Sequence, residues 1–297
     1  MSGKQQAIAE AASLAVFRLE AGPRIELALK QHLPLARVPD NIIFNRALHD
    51  AVFPGGRRFR PMLALLASEL VPADADDALT AAAAVEYLHC AALIFDDLPG
   101  MDDARERRGR PCLHLRCGEG LAITAALALM NASCQIVAGR AARNSAGAHR
   151  ALRELTDCVA AQITGQAADL APSPNQESDA RSGDGSARHW KTSSLIRLAL
   201  TLGPILSGAD SSDVAALIGF GQTLGEAYQI IDDSCDVEED RGLLRRGRHA
   251  TFAIERGCEA ARGLAERLTA EARRELLAKF GDLPSVHRLC EYANLPA

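Results

Sequence analysis

"AAAAVEYLHCAALIFDDLPGMDD", residues 81 to 103, is apolar through Phe95, then abruptly acidic, and breaks at Pro99-Gly100. Apolar residues recur at helical spacing from about 76 to 97, which predicts one long helix. Alanine, the best helix former, fills much of it. The stretch approaches membrane-span length, but Glu86 and His89 interrupt it, so the expected element is a buried core helix. Four aspartates, Asp96, Asp97, Asp102 and Asp103, fall within eight positions at its end. On a continuous helix Asp96 and Asp102, six apart, would point to different faces. Pro99 removes a backbone donor and Gly100 permits a turn, so Asp102 or Asp103 is expected to swing back toward Asp96. Taken alone, one acidic run also fits a solvated loop.

Outward from this segment the same periodicity predicts helices over 7–33, 41–52, 60–71, 118–140, 148–170, 189–207, 211–236 and 257–280. Breakers at Pro39, Pro54-Gly55-Gly56, Pro72 and Pro99-Gly100 separate them, and Gly203-Pro204 falls late in one helix. With 48% hydrophobic but only 4% aromatic residues, the composition suits packed helices and is poor in strand formers, so the chain reads as all-α. The stretch around 121–138 also nears span length but carries Asn131 and Gln135, and a core helix with no stable membrane anchor is expected there too. Residues 172–187, "PSPNQESDARSGDGSA", have no apolar periodicity and fit either a linker or a mobile lid.

A formal charge of −5 argues against a nucleic-acid partner. Eight cysteines without CxxC pairs, and an N-terminus that does not read as a secretory signal, suggest reduced thiols in a cytoplasm and argue against zinc. Only Lys4, Lys30, Lys191 and Lys279 among the 33 basic residues are lysines, so any single arginine reflects a chain-wide bias.

A second acidic run, "YQIIDDSCDVEED" at 228–240, again ends a long apolar helix. Asp232 and Asp236 project from one helical face, and Asp233 is turned roughly 100° away. Alone it fits a solvated helix end. Two such carboxylate groups facing one another would require cations, and hard oxygen ligands suit Mg²⁺ bridging carboxylates to a substrate's phosphates. Arginine forks bind phosphate oxygens, and two clusters supply them: Arg57, Arg58 and Arg60 in "GGRRFRP" (55–61), and Arg107 and Arg108 in "RERRGRP" (105–111). Singly each cluster fits a surface patch. Together with the acidic motifs they imply two anion sites, one through metal and one without it.

These elements resemble the trans-isoprenyl diphosphate synthases, the short-chain polyprenyl synthetases of the geranylgeranyl and farnesyl diphosphate type, from about residue 41 to 240. The first acidic motif has the DDxxxxD spacing, and "GGRRFRP", "EYLHCAALIF", "TGQAADL", "HWKTSSLI" and "LGEAYQIIDDSCD" occur in the family's order. The resemblance implies an all-α, single-domain multi-helix bundle of the isoprenoid synthase type over 1–297, with a central active-site cavity, working as a homodimer.

It also implies the roles. Asp96, Asp97 and Asp102 would hold two Mg²⁺ on the allylic diphosphate, and Asp232, Asp233 and Asp236 a third. Arg107, Lys191, Thr192 and Gln229 would steady that leaving diphosphate, with Gln166 and Asp169 near the metals. Arg57, Arg60, His89 and Arg108 would bind isopentenyl diphosphate. Asp96, Asp97, Asp102, Asp232 and Lys191 are the expected catalytic set. The allylic partners would be C5, C10 and C15 diphosphates. Small residues at Ala91 and Ala92, five and four before Asp96, favour a C20 product, geranylgeranyl diphosphate, with C15 farnesyl diphosphate second and longer products third. A class I terpene cyclase and a noncatalytic partner subunit are the remaining alternatives.

The sequence departs from the family at four places. Arg57 stands where Lys is usual, Phe95 where His is usual, and "TAALAL" (124–129) lacks a Gly-Asp pair. After Asp236 the loop "VEEDRGLLRRGRHATF" is shortened, leaving Arg245, Arg246 or Arg248 to replace a family lysine.

Overall fold

A computed structural model describes residues 3–36, 41–170, 186–235, 254 and 256–293. The polar segment 172–187, apart from its last two residues, and the 237–250 region with Arg245, Arg246 and Arg248 fall outside them. Among the described residues the elements are helices, apart from one two-stranded ribbon. Residues within Met1–Leu155 and Leu202–Ala209 form one unit, and those within Thr156–Thr201 and Asp210–Ala297 a second.

In the first unit α1 (Gly3–His32), α2 (Ile42–Val52) and α3 (Phe59–Ser68) lead into α4 (Ala75–Asp96). The N-terminus of α4 is fixed by Asp74, whose side chain accepts from the Asp76 amide at 2.9 Å, with Asp76 and Asp77 in the first turn where the helix dipole favours acid. Residues Ala81 through Leu88 are all buried, so α4 is covered on every face, as an apolar helix in a protein core must be. The Tyr87 hydroxyl donates to the Leu29 carbonyl and ties the core helix to α1.

The ribbon follows, β1 (Glu106–Arg107) paired antiparallel with β2 (Arg110–Pro111). Its two-residue turn, Arg108-Gly109, has φ of 57° and 74°, the two positive values that a type I′ hairpin needs. Periodicity had no purchase on strands two residues long, and the arginine run 105–111 read only as a charge cluster.

Next come α5 (Leu113–Cys117) and α6 (Glu119–Ala138), and α6 packs along α4. The expectation of a core helix holds for α4, but α6 is covered on one face only. Ala122, Ala125, Ala126, Leu129, Ala132 and Val137 are buried, while Ile123 and Leu127 are 37% and 55% exposed.

α7 (Ser145–Leu170) and α8 (Ser186–Leu206) each begin in one unit and end in the other. α8 continues through Gly203-Pro204 without a break. In the second unit α9 (Ser211–Cys235) packs on α10 (Cys258–Phe280), and α11 (Pro284–Ala293) closes the chain. Sequence periodicity did not anticipate α11, although Pro284 at its first position is a helix-start signal.

α8 and α9 approach closely where α9 carries Gly221 and Gly225, four apart and so on one face. A methyl group at Gly225 would lie 2.5 Å from Ser193 Cα, and one at Gly221 would lie 2.9 Å from Arg197 Cα. Gly219, on the same helix, has open space. Gly219→Ala should therefore raise the free energy of unfolding by about 0.5–1 kcal/mol through helix propensity. Gly225→Ala should lower it by about 1–3 kcal/mol, because backbone must move. Urea unfolding of the two variants against the parent checks the opposite signs.

Candidate active site

The acidic end of α4 is built by its own turn. The Asp97 amide donates to Leu93 O at 3.0 Å, the last helical bond, and the Met101 amide donates to Leu98 O at 2.9 Å across Pro99-Gly100. The Asp102 amide then donates to Asp96 O at 3.0 Å, and the Asp103 amide to Leu98 O at 3.1 Å. The chain after the Pro-Gly pair does return to Asp96, as the sequence predicts for Asp102. Asp96 is half-buried, Asp97 buried and Asp102 exposed.

Carboxylates here oppose the helix, because the last turn of α4 carries the negative end of its dipole and contains no basic residue. The nearest compensation is Arg107 on β1, whose Nη2 and Nε donate to Asp97 Oδ1 at 2.6 and 3.0 Å. Asp97, expected as a metal ligand, and Arg107, expected on the leaving diphosphate, thus neutralise each other directly. Asp96 and Asp102 flank this pair, one half-buried and the other exposed. A hard divalent cation bridging them to phosphate oxygens fits this donor set, since Mg²⁺ commonly uses one or two carboxylates and the substrate's oxygens. Among the described residues no group of three His, Cys, Asp or Glu converges on one point. Beside Asp97, burial first and the carboxylate second push the Cys112 thiol up to about 11.

A cavity of about 120 Å³ lies against this corner, lined among others by Cys90, Asp97, Arg107, Arg108, Cys112 and Arg116. On its rim Arg116 pairs with Asp50, a contact that sequence reading did not foresee.

The basic cluster expected to bind an anion without metal also assembles in the first unit. Arg60, in the first turn of α3, places Nη1 3.3 Å from His89 Nε2 on α4. Arg108, at the hairpin turn, lies so close to Gly56 that a methyl group there would sit 3.2 Å from its Nε. Burial first, and then the charges of Arg60, Arg108, Arg107 and Arg58, hold His89 well below the usual histidine range. Three of the four residues expected on isopentenyl diphosphate therefore share one positive environment, and Arg57 is exposed beside them.

His89 and Asp96 are seven residues apart, two turns and about 10 Å along one face of α4. Ala92 lies between them on that face and is half-buried, whereas Ala91 is turned about 100° away and has 0% exposure. Of the two alanines expected to set product length, Ala92 therefore has the accessible surface.

In the second unit Gln166 on α7 and Gln229 on α9 are half-buried. Asp169 is on α7, Lys191 and Thr192 are on α8, and Asp232 and Asp233 are on α9; their side chains lie outside the described residues, as does Asp236 entirely. The close passage of Ser193 against Gly225 brings the backbone at Thr192 next to α9, one turn before Gln229.

Arg58 is what the sequence did not separate from its neighbours. Instead of joining Arg57 and Arg60, it is 6% exposed and bound to Glu86 and Glu26. The legible signal was Glu86, a lone acid inside the apolar run 81–95 and only 2% exposed, which demands a buried cation.

Because His89 is depressed in the folded state, the unfolded chain takes up a proton near its ordinary pKa of about 6.5 that the folded chain refuses. Stability should therefore fall as pH drops below that value. His89→Gln should flatten part of this slope, measured as urea midpoints between about pH 5 and 8.

Comparison with known proteins agrees with this geometry. The family model described as polyprenyl synthetase matches residues 41–254. A geranylgeranyl diphosphate synthase of Pantoea ananas is 36% identical over 224 residues, 73% of this chain and 72% of its own. The mitochondrial geranylgeranyl pyrophosphate synthase 10 of Arabidopsis thaliana is 31% identical over 276 residues, covering 88% and 78%. Among solved structures, a geranyltransferase of Legionella pneumophila superposes with a TM-score of 0.80 at 25% identity, covering 95% of this chain and 97% of that one. An acid-ended core helix, a separate basic cluster two turns up the same helix, and a match across most of the chain have one explanation: it belongs to the polyprenyl synthetase family and is a trans-prenyltransferase making short-chain isoprenyl diphosphates.

Proposed function

We propose that the chain is a geranylgeranyl diphosphate synthase that condenses isopentenyl diphosphate with C5, C10 and C15 allylic diphosphates. The observation that carries this reading is the pair of anion addresses on α4, acid at Asp96 and a metal-independent basic cluster around His89. A class I cyclase ionises one diphosphate and has no use for the second address. Small Ala92 on the face between them, and the similarity to geranylgeranyl diphosphate synthases, favour C20 over the C15 alternative.

Asp96 and Asp102, with Asp97, would hold two Mg²⁺, and Asp232, Asp233 and Asp236 a third; bound there, the cations supply charge neutralisation on the departing diphosphate. Arg107 adds a fork to the same oxygens once it leaves Asp97, and Lys191, Thr192 and Gln229 complete the hold. Arg57, Arg60, Arg108 and His89 fix the second substrate by its diphosphate. The allylic C1–O bond breaks, leaving an allyl cation and free diphosphate. The alkene of isopentenyl diphosphate then forms the new carbon–carbon bond to C1, and the released diphosphate accepts the proton that is lost. Excluding water protects the cation.

We propose a homodimer on the exposed apolar face of α6, where Ile123 and Leu127 stand uncovered beside Thr124 and Asn131.

Incubation with Mg²⁺, isopentenyl diphosphate and each allylic diphosphate in turn should yield C20 product. Ala92→Phe should stop growth at C15. Asp96→Ala should lower kcat by about 10³-fold, equivalent to several kcal/mol of lost charge stabilisation. Absence of elongation from every allylic substrate would refute the reading, and a hydrocarbon or alcohol from the C15 or C20 diphosphate alone would make the protein a cyclase.

A further inference from the structure

Arg58 sits in the middle of "GGRRFRP" with φ of 51°, a left-handed conformation unusual for a side chain of its size. Its guanidinium makes four hydrogen bonds. Nε donates to Glu26 Oε1 at 2.7 Å, Nη1 to Glu86 Oε1 at 2.6 Å, and Nη2 to Val52 O at 2.9 Å and to Glu26 Oε2 at 3.3 Å. The group also lies 5.5 Å from the centre of the Phe53 ring. With four hydrogen bonds to protein acceptors and one face toward Phe53, it is committed to the fold and not to a diphosphate.

What these contacts fix is the loop on either side. The guanidinium folds back over Gly55, where a methyl group would lie 2.0 Å from Cζ, so residues 55 and 56 are pinned down against α4. Gly56 in that position meets Arg108. Arg58 is also the N-cap residue of α3, its carbonyl accepting from the Met62 amide at 3.0 Å, which sets where Arg60 begins its reach to His89. Glu86, the anchor on α4, is three residues and about one turn before His89. Anchor and ligand thus share a helix face, and the distance between Arg60, His89 and Arg108 is set through Arg58.

We propose that Arg58 is a positioning residue for the isopentenyl diphosphate site: clamped by Glu86 and Glu26, it holds the 55–60 loop so that Arg60, His89 and Arg108 present one preformed anion cradle. The assignment rests on the functional reading above for the identity of the anion.

Gly55→Ala is the primary test, because its methyl group displaces the guanidinium without removing any charge. Steady-state kinetics should show KM for isopentenyl diphosphate raised at least about tenfold, with kcat and the allylic KM within about twofold, alongside the lowered melting temperature expected when the Arg58–Glu86 pair is disturbed. Arg58→Gln should show the same selective defect more severely, and Arg58→Lys should recover part of it. An unchanged isopentenyl KM in folded Gly55→Ala would overturn the proposal. So would a parallel rise in both KM values, which marks a merely structural role. Binding of inorganic diphosphate in EDTA, measured calorimetrically on parent and Gly55→Ala, separates this proposal from the functional reading. If the parent turns over no isopentenyl diphosphate, the functional reading fails, yet weaker diphosphate binding by the variant still supports the cradle and equal binding refutes it.

Discussion

A core helix that is covered on every face yet carries a carboxylate constrains much of the first unit. Glu86 is 2% exposed in the middle of α4, and a bare charge there would be untenable. Arg58 satisfies it, and because a buried pair tolerates loss of neither partner, removing one would cost about 3–5 kcal/mol. To reach Glu86 the chain between α2 and α3 must double back, adopting a left-handed residue at position 58 and a glycine under the guanidinium. Glu26 on α1 then completes the cation's coordination, so α1, the connecting loop and α4 are locked by one ionic cluster.

The same helix solves a second electrostatic problem at its end. Asp96 and Asp97 sit where the dipole is negative, an arrangement that lowers stability but concentrates affinity for cations. The hairpin after Gly100 supplies the protein's own cation, Arg107, and presents Arg108 at a turn position whose positive φ costs about 1–2 kcal/mol for a residue other than glycine. Strain of this kind persists where surrounding structure over-determines it, often at functional sites. An acidic corner and a basic cluster separated by two helical turns suit the condensation of two diphosphates proposed above.

Packing between helices sets the remaining geometry. Gly225 lets α8 and α9 approach until Ser193 Cα lies within 2.5 Å of where a side chain would begin, placing the backbone of the "HWKTSSLI" segment beside the helix that carries the second acidic motif. On α4 a rotation of one residue separates Ala92, with accessible surface, from Ala91, with none. Small residues at adjacent positions therefore have different consequences.

By itself the sequence determined the helices and the chemistry. Apolar periodicity placed eight of the nine expected helices within about three residues of their observed ends, because one-sided or complete burial imposes a spacing that a single chain records. Charge type and motif order likewise marked Asp96, Asp102, Arg60, His89 and Arg108, since few reactions need acid and arginine in that arrangement. Tertiary structure alone decided which arginine of "GGRRFRP" reaches His89 and which is buried, that Asp97 pairs with Arg107, and that residues 106–111 form a ribbon. Each of those outcomes depends on a partner distant along the chain or on a backbone turn of two residues. Spacing along the sequence has no means of recording either, because they are settled by which charges share a low-dielectric interior.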